Sequence, residues 1–315
     1  VGAAGARVTA ADVINGDARW ATLVGDVRET LRGVPDGCAQ TCVTSPPYFG
    51  LRDYGNAAQI GQETTPREFV DALVAVMRDV RRVLADDGTL WLNIGDSYSQ
   101  QGNGYKPKDL LGIPWRLAFA LQDDGWYLRS DIIWAKPNPM PESVTDRPTR
   151  AHEYVFLLTK RARYFYDADA IKEPSVMKPQ NRLTARAEHP KGDTGRSMHL
   201  RPEGGTSYNS RNARSVWNVP TDSFGGAHFA TMPPELARRC ILAGSRRGDV
   251  VLDPFGGAGT TALAALQHGR RALLCELNPE YVEIQRRRLA DFAADTTSPI
   301  DARGADFGPL FGGAR

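Results

Sequence analysis

Apolar positions along most of the chain fall into two alternating periods. TCVTS, from Thr41 to Ser45, is a β-branched run closed by two prolines and reads as a buried strand. From Pro66 to Gly88, apolar Phe69, Leu73, Val74, Met77, Val80 and Leu84 recur at steps of three and four between a proline and a glycine. That spacing predicts a helix with one buried face. GTLWLNIGD reads as the next strand, IPWRLAFALQDDG as a helix, and SDIIWAKP and HEYVFLLTK as two further strands. Farther along, GDVVLDPFGGAGTTALAALQHG reads as strand, glycine turn and helix, RRALLCELN as a strand with an acidic end, and YVEIQRRRLADF as a closing helix. Such alternation predicts an α/β fold around one mostly parallel sheet.

Between these two α/β stretches the periodicity stops. Residues 176–215 carry eight basic side chains, Lys178, Arg182, Arg186, Lys191, Arg196, Arg201, Arg211 and Arg214, against three acidic ones, Glu188, Asp193 and Glu203. Their excess exceeds the formal net charge of the whole 315-residue chain, which is only +2. Taken alone, the segment reads as a solvated insertion. With 41% hydrophobic residues the remainder has ample material for a core. No apolar run approaches the ~18 residues of a spanning helix, and the opening residues lack the pattern of a secretory signal, so a cytoplasmic protein without membrane contact is expected. The four cysteines, Cys38, Cys42, Cys240 and Cys275, show no zinc-site spacing; a reducing setting and no metal are expected.

Two motifs carry chemistry. In DPFGGAGTT, Asp253 closes a strand and Gly256, Gly257 and Gly259 let backbone approach a ligand at a helix start. The spacing is not that of a dinucleotide fingerprint, and the lysine of a phosphate loop is missing. Asp253 suits a cationic ligand and would repel a pyrophosphate. Glu276, ending the next strand, sits where a carboxylate can accept from ribose hydroxyls. A cationic adenosine compound satisfies both; a buried turn with a capping Asp and a surface Glu is the simpler alternative. In TSPPY, Thr44 to Tyr48, two prolines stop the strand and leave carbonyls free. Ser45, those carbonyls and the Tyr48 ring suit a planar group bearing an NH2, whereas alone the motif reads more readily as a proline turn before a loop.

Together the motifs, with GDVRETL, GTLWLNIGDSY, IIWAKPNPMP and HFATMPPELARRCI, resemble the β class of amino-methylating DNA methyltransferases over Val24 to Leu289. The resemblance implies an S-adenosyl-L-methionine-dependent fold with a mostly parallel seven-stranded sheet, helices on both faces and permuted motif order. It implies an N-terminal extension at 1–21, a catalytic half at 22–160, a target-recognition insertion at 161–227, a cofactor-binding half at 228–292 and a flexible tail at 293–315. Ser45, Pro46, Pro47 and Tyr48 take the catalytic role. Asp26, Thr44, His228, Asp253, Phe255, Gly256, Gly257, Gly259, Thr260 and Glu276 bind the cofactor, with Asp17 a rival of Asp26. Lys178, Arg182, Arg186, Lys191, Arg196, Arg201, Arg211 and Arg214 contact DNA. The implied reaction methylates cytosine N4 of a flipped base in double-stranded DNA, favoured by Ser45 in the motif; adenine N6 is the alternative. An RNA or protein-glutamine methyltransferase and a non-catalytic DNA-binding protein are less favoured. A cognate restriction endonuclease and a homodimer are the partners left open.

Overall fold

The structure, a computed structural model, describes residues 8–51, 53, 55–56, 58–99, 104–175, 210–221 and 232–293. In chain order the elements are α1 (Ala10–Asn15), β1 (Trp20–Val24), α2 (Val27–Thr30), β2 (Ala39–Thr44), α3 (Pro66–Val83), β3 (Leu84–Ile94), α4 (Ile113–Asp123), β4 (Tyr127–Ala135) and β5 (His152–Thr159). They continue with β6 (Glu173–Pro174), β7 (Ser210–Arg211), β8 (Val216–Asn218), α5 (Pro234–Gly244), β9 (Val250–Asp253), α6 (Thr260–Gln267), β10 (Arg271–Glu276), α7 (Pro279–Arg288) and α8 (Ala290–Ala293). Two units result, one of 1–167 with 214–315 and one of 168–213. Within the smaller unit β6 and β7 pair antiparallel, and Arg211 reaches Glu173 at 3.3 Å.

The main sheet has the order β1-β10-β9-β2-β3-β5-β4-β8. Its first five strands run parallel, and β5 is antiparallel to both β3 and β4. Among the described residues this sheet has eight strands rather than the expected seven. The extra one, β8, adds parallel to β4, where Trp217 is buried and stacks on Trp91 with ring centroids 6.2 Å apart. The expected mixture of parallel core and helical cover is otherwise what forms. Chain direction reverses its placement between β9 and β2: β10 and β1 lie on one side of that pair, β3 on the other. At such a switch point the connections leave in opposite directions and a crevice opens beyond the carboxyl ends of the two strands.

Alternation fixes which residues face which layer. Cys42, Leu90, Leu252 and Leu273 join a continuous core with Phe69, Leu73, Met77 and Val80 of α3 and Leu117 and Leu121 of α4. On the opposite face α5 rests directly on the sheet at Gly244. A side chain there would place its Cβ 2.6 Å from Thr41 Oγ1 and 2.6 Å from Thr89 Oγ1. Helix α3 begins as expected, with Thr65 and Glu68 capping each other across Pro66. It ends earlier, at Val83, and Leu84 to Gly88 join β3 instead. Gly88 is therefore no helix stop; a Cβ on it would lie 3.0 Å from the Gln40 carbonyl of the adjoining strand. Among the described residues no helix is long and apolar enough to cross a membrane.

Candidate active site

Beyond β9 the backbone turns on left-handed glycines, Gly257 at φ +48° and Gly259 at φ +79°, into α6. Gly256 is required by closeness instead: its amide donates to the Cys275 carbonyl at 2.8 Å, and a Cβ would lie 3.1 Å from Gln285 Nε2. Gln285 of α7, fully buried, ties the turn down. Its Nε2 donates to the Gly257 carbonyl at 2.7 Å and its Oε1 accepts from Thr22 at 2.6 Å.

Two carboxylates border this turn. Asp253 is 4% exposed, and its Oδ1 accepts from Thr44 Oγ1 at 2.7 Å and from the Phe255 amide at 3.0 Å. Burial pushes its pKa up to about 6, with the hydrogen bonds from Thr44, Thr261 and the Phe255 amide opposing. Glu276 accepts from the Gly257 amide at 2.7 Å and the Asn278 amide at 2.8 Å, and burial raises its pKa as well. A third carboxylate, Asp26, caps α2 through the Arg28 amide at 2.9 Å. Its salt bridge to Arg28 at 2.5 Å accompanies hydrogen bonding that holds the carboxyl below the usual range.

At the end of β2, Ser45 is half-buried and Tyr48 lies across the end of β3. Gly95 permits this, since a Cβ there would meet Tyr48 Cε2 at 2.7 Å. The Tyr48 hydroxyl donates to Glu153 Oε2 at 2.5 Å and accepts from Asn93 Nδ2 at 2.8 Å. Burial, then the neighbouring Glu153 charge, raise the Tyr48 pKa well above that of a free phenol. Lys136 pairs with the other oxygen of Glu153.

Both strand ends open into one cavity of about 570 Å³, the size of a small-molecule site. Asp26, Ser45, Pro46, Pro47, Tyr48, Asp253, Phe255, Gly256, Gly257, Thr260 and Glu276 line it. Thr44 and Gly259 do not: Thr44 is fully buried behind Asp253, and Gly259 packs against Gln285, where a Cβ would lie 3.1 Å from Cγ. Thr44 thus orients a cavity carboxylate and has no wall position of its own. Asp17 is exposed and outside the cavity wall. His228, Lys178, Arg182, Arg186, Lys191, Arg196 and Arg201 lie outside the described residues. Arg211 pairs with Glu173, and the Arg214 carbonyl accepts from Trp217 Nε1 at 2.8 Å. Motif reading passed over Asn93, Lys136 and Glu153 in the cavity wall, and Gln285 behind the glycine turn. A polar Asn inside the apolar run LWLNI, and a Glu opening the apolar run EYVFLLT, were the available signals.

Asp253 and Glu276 take their hydrogen bonds from neutral donors, so a cation entering the cavity meets desolvated negative charge without displacing an ion pair. That arrangement fits S-adenosyl-L-methionine, whose amino and sulfonium groups are cationic and from whose ribose hydroxyls a carboxylate can accept.

A family model described as DNA methylase, of the N6/N4 type, matches residues 39–287. Type II methyltransferase M.XycI of Xanthomonas campestris pv. cyanopsidis is 50% identical over 86% of this chain and 88% of its own length. M.SmaI of Serratia marcescens is 47% identical over 85% and 89%. TTHA0409 of Thermus thermophilus, solved in complex with S-adenosyl-L-methionine, superimposes with a TM-score of 0.58 at 27% identity, covering 88% of this chain and 95% of that one. The cytosine-N4-specific PvuII DNA methyltransferase gives 0.63 at 20% identity, over 89% and 93%, a likeness of fold. The chain belongs to the N6/N4 DNA methylase family. It is a Type II DNA methyltransferase, and S-adenosyl-L-methionine is its cofactor.

Proposed function

We propose that this enzyme methylates the exocyclic N4 amine of a cytosine extruded from double-stranded DNA, within a specific sequence. The observation that carries the reading is the shared cavity: an acceptor hydroxyl, Ser45, and an aromatic ring, Tyr48, face the same space as the carboxylate-rimmed glycine turn. Asp253, Glu276 and the turn hold the cofactor, which supplies an electrophilic methyl group. The amine of a nucleobase is a weak nucleophile because its lone pair is delocalised into the ring. Ser45 Oγ and a main-chain carbonyl beside Pro46 accept its two hydrogens, favour pyramidal nitrogen and aim the lone pair at the methyl. Alignment of this kind supplies effective molarities of ~10^5 to 10^8 M. Stacking on Tyr48 offsets part of the few kcal/mol needed to extrude the base.

In this reading the basic segment 176–215 is the target-recognition region, with lysines and arginines on phosphates. A restriction endonuclease of the same specificity is the implied partner, as Type II naming of the relatives suggests. The test is to incubate the protein with plasmid DNA and isotope-labelled cofactor, digest to nucleosides and identify the product by mass spectrometry. N4-methylcytosine is expected; N6-methyladenine would move the target to adenine, and label in neither would overturn the reading.

A further inference from the structure

Five side chains in the cavity wall, Ser45, Tyr48, Asn93, Lys136 and Glu153, form one hydrogen-bonded group. Glu153, a carboxylate beside the Lys136 ammonium, only accepts. Its Oε2 takes the Tyr48 hydroxyl hydrogen at 2.5 Å, so Tyr48 Oη is left to accept, and Ser45 Oγ lies within reach to donate to it at 3.4 Å. The two hydrogens of Asn93 Nδ2 are shared among three acceptors of the same group, Tyr48 Oη at 2.8 Å, Glu153 Oε2 at 3.0 Å and Ser45 Oγ at 3.2 Å. Glu153 Oε1 accepts from Lys136, whose ammonium sits 4.4 Å from the centroid of the Trp134 ring. The ion pair is largely withdrawn from solvent, at 19% and 12% side-chain exposure. Direction is thus imposed from the charged end: with the Ser45 hydrogen toward Tyr48 and one lone pair taken by Asn93, the hydroxyl keeps its second lone pair to accept from a ligand.

We propose that this chain carries away the proton the target amine must lose, with Glu153 as the terminal acceptor and Lys136 as its counter-ion. The proposal rests on the reading of Ser45 as the amine's acceptor. As the nitrogen–methyl bond forms, the sulfur–methyl bond of the cofactor breaks and its electron pair stays on sulfur. One N–H bond then breaks. Ser45 Oγ takes that proton and releases its own hydrogen to Tyr48 Oη, which releases its own to Glu153 Oε2. Ser45 and Tyr48 finish neutral, as they began; Glu153 finishes as a carboxylic acid, and Lys136 is unchanged. The positive charge that the sulfonium gives up passes into the wall, where neutral Glu153 leaves it on the Lys136 ammonium beside the Trp134 ring. Retention of the phenol proton by Tyr48 fits a relay, in which the hydroxyl passes hydrogens along, and does not fit a phenolate base.

Glu153→Gln keeps the shape and removes the terminal acceptor; Tyr48→Phe keeps the stacking ring and removes the link. Single-turnover methylation of duplex DNA should slow about 100-fold in each, with cofactor and DNA dissociation constants within twofold of wild type; melting temperature should change little in Tyr48→Phe and fall in Glu153→Gln, which leaves the Lys136 ammonium without its counter-ion. The double variant should be no slower than the slower single one, because both interrupt one route. Glu153→Asp, which keeps an acceptor, should recover at least tenfold over the glutamine variant. A wild-type rate in Glu153→Gln, or losses that multiply in the double variant, would overturn the relay. Should the glutamine variant fail to fold, Tyr48→Phe decides alone, a wild-type rate overturning the proposal. Ser45→Ala separates the two layers: full activity there sinks the amine reading itself, whereas an inactive Ser45→Ala beside an active Glu153→Gln sinks only the relay.

Discussion

The two ends of the cavity hold their negative charge in opposite ways. At the glycine turn, Asp253 and Glu276 are desolvated, bonded to hydroxyls and amides, and raised in pKa by burial. At the TSPPY end, Glu153 already has its cation in Lys136 and its hydrogen bond from Tyr48. An end short of positive charge suits a charged ligand, and an end already neutralised suits a neutral one. The proposed division, with the cationic cofactor at the first and the uncharged nucleobase at the second, follows this difference in charge.

The sharpest way to break this division is Ser45→Ala. Turnover should fall by about 100-fold or more while calorimetric cofactor affinity stays within twofold; a parallel loss of affinity would mean that the two ends are not separable. Asp253→Asn probes the other end. Its Oδ1 can still accept from Thr44 and Phe255, but the charge is gone, and cofactor affinity should fall at least tenfold, about 1.4 kcal/mol. The ligand-free protein should at the same time gain stability. The native carboxyl holds its proton up to about pH 6, whereas the unfolded chain releases it near 3.8. The folded state therefore binds more protons between these values, and stability falls as pH rises through them, by about 3 kcal/mol in all. Removing the charge should return that at pH 7.5, as a melting temperature higher by on the order of 5 °C.

The same titration sharpens the comparison further. Cofactor binding should weaken by nearly tenfold per unit as pH falls below about 6, where Asp253 takes up a proton. A pH-independent affinity between 5 and 7 would remove Asp253 from the cofactor's reach. The smallest effect is expected from Gln285→Ala, which touches neither ligand but frees the Gly257 carbonyl and Thr22. It should cost about 2 kcal/mol of stability, read by chemical denaturation, with a several-fold drop in cofactor affinity and little change in the methyl-transfer step.

How much of this was open to inspection in the sequence depended on whether a residue's role was local. Strand, turn and helix around Asp253 followed from periodicity and glycine spacing within a single stretch, and so did Ser45 and Tyr48 after the TCV run. The helix from Pro66 was legible at its start, where Thr65 and Glu68 act over three residues. Its end was not, because Leu84 to Gly88 are claimed by pairing with Ala39 to Thr41, some 45 positions away in the chain, and tertiary pairing overrides helical periodicity. Asn93, Lys136 and Glu153 come from three different strands or strand ends, and only the sheet order brings them together. Thr44 reads from the motif as a cofactor-binding residue, whereas it sits buried behind Asp253, 209 residues on; no local pattern distinguishes touching a ligand from steering the group that touches it. Strand β8 is three residues long, too short to carry a period.

Gly244 shows how far from the chemistry a change can still be felt. The helix that ends there bears on Thr41 and Thr89, and the strands carrying those threonines run on to Ser45 and Asn93. Even one methyl group at position 244 must lever the helix off the sheet or push both strands along, and the acceptor hydroxyl would drift from its alignment with nothing in the cavity altered. Inactivating variants at this glycine would then mimic active-site lesions, although the fault is one of seating, like a shim of the wrong thickness under a machine bed.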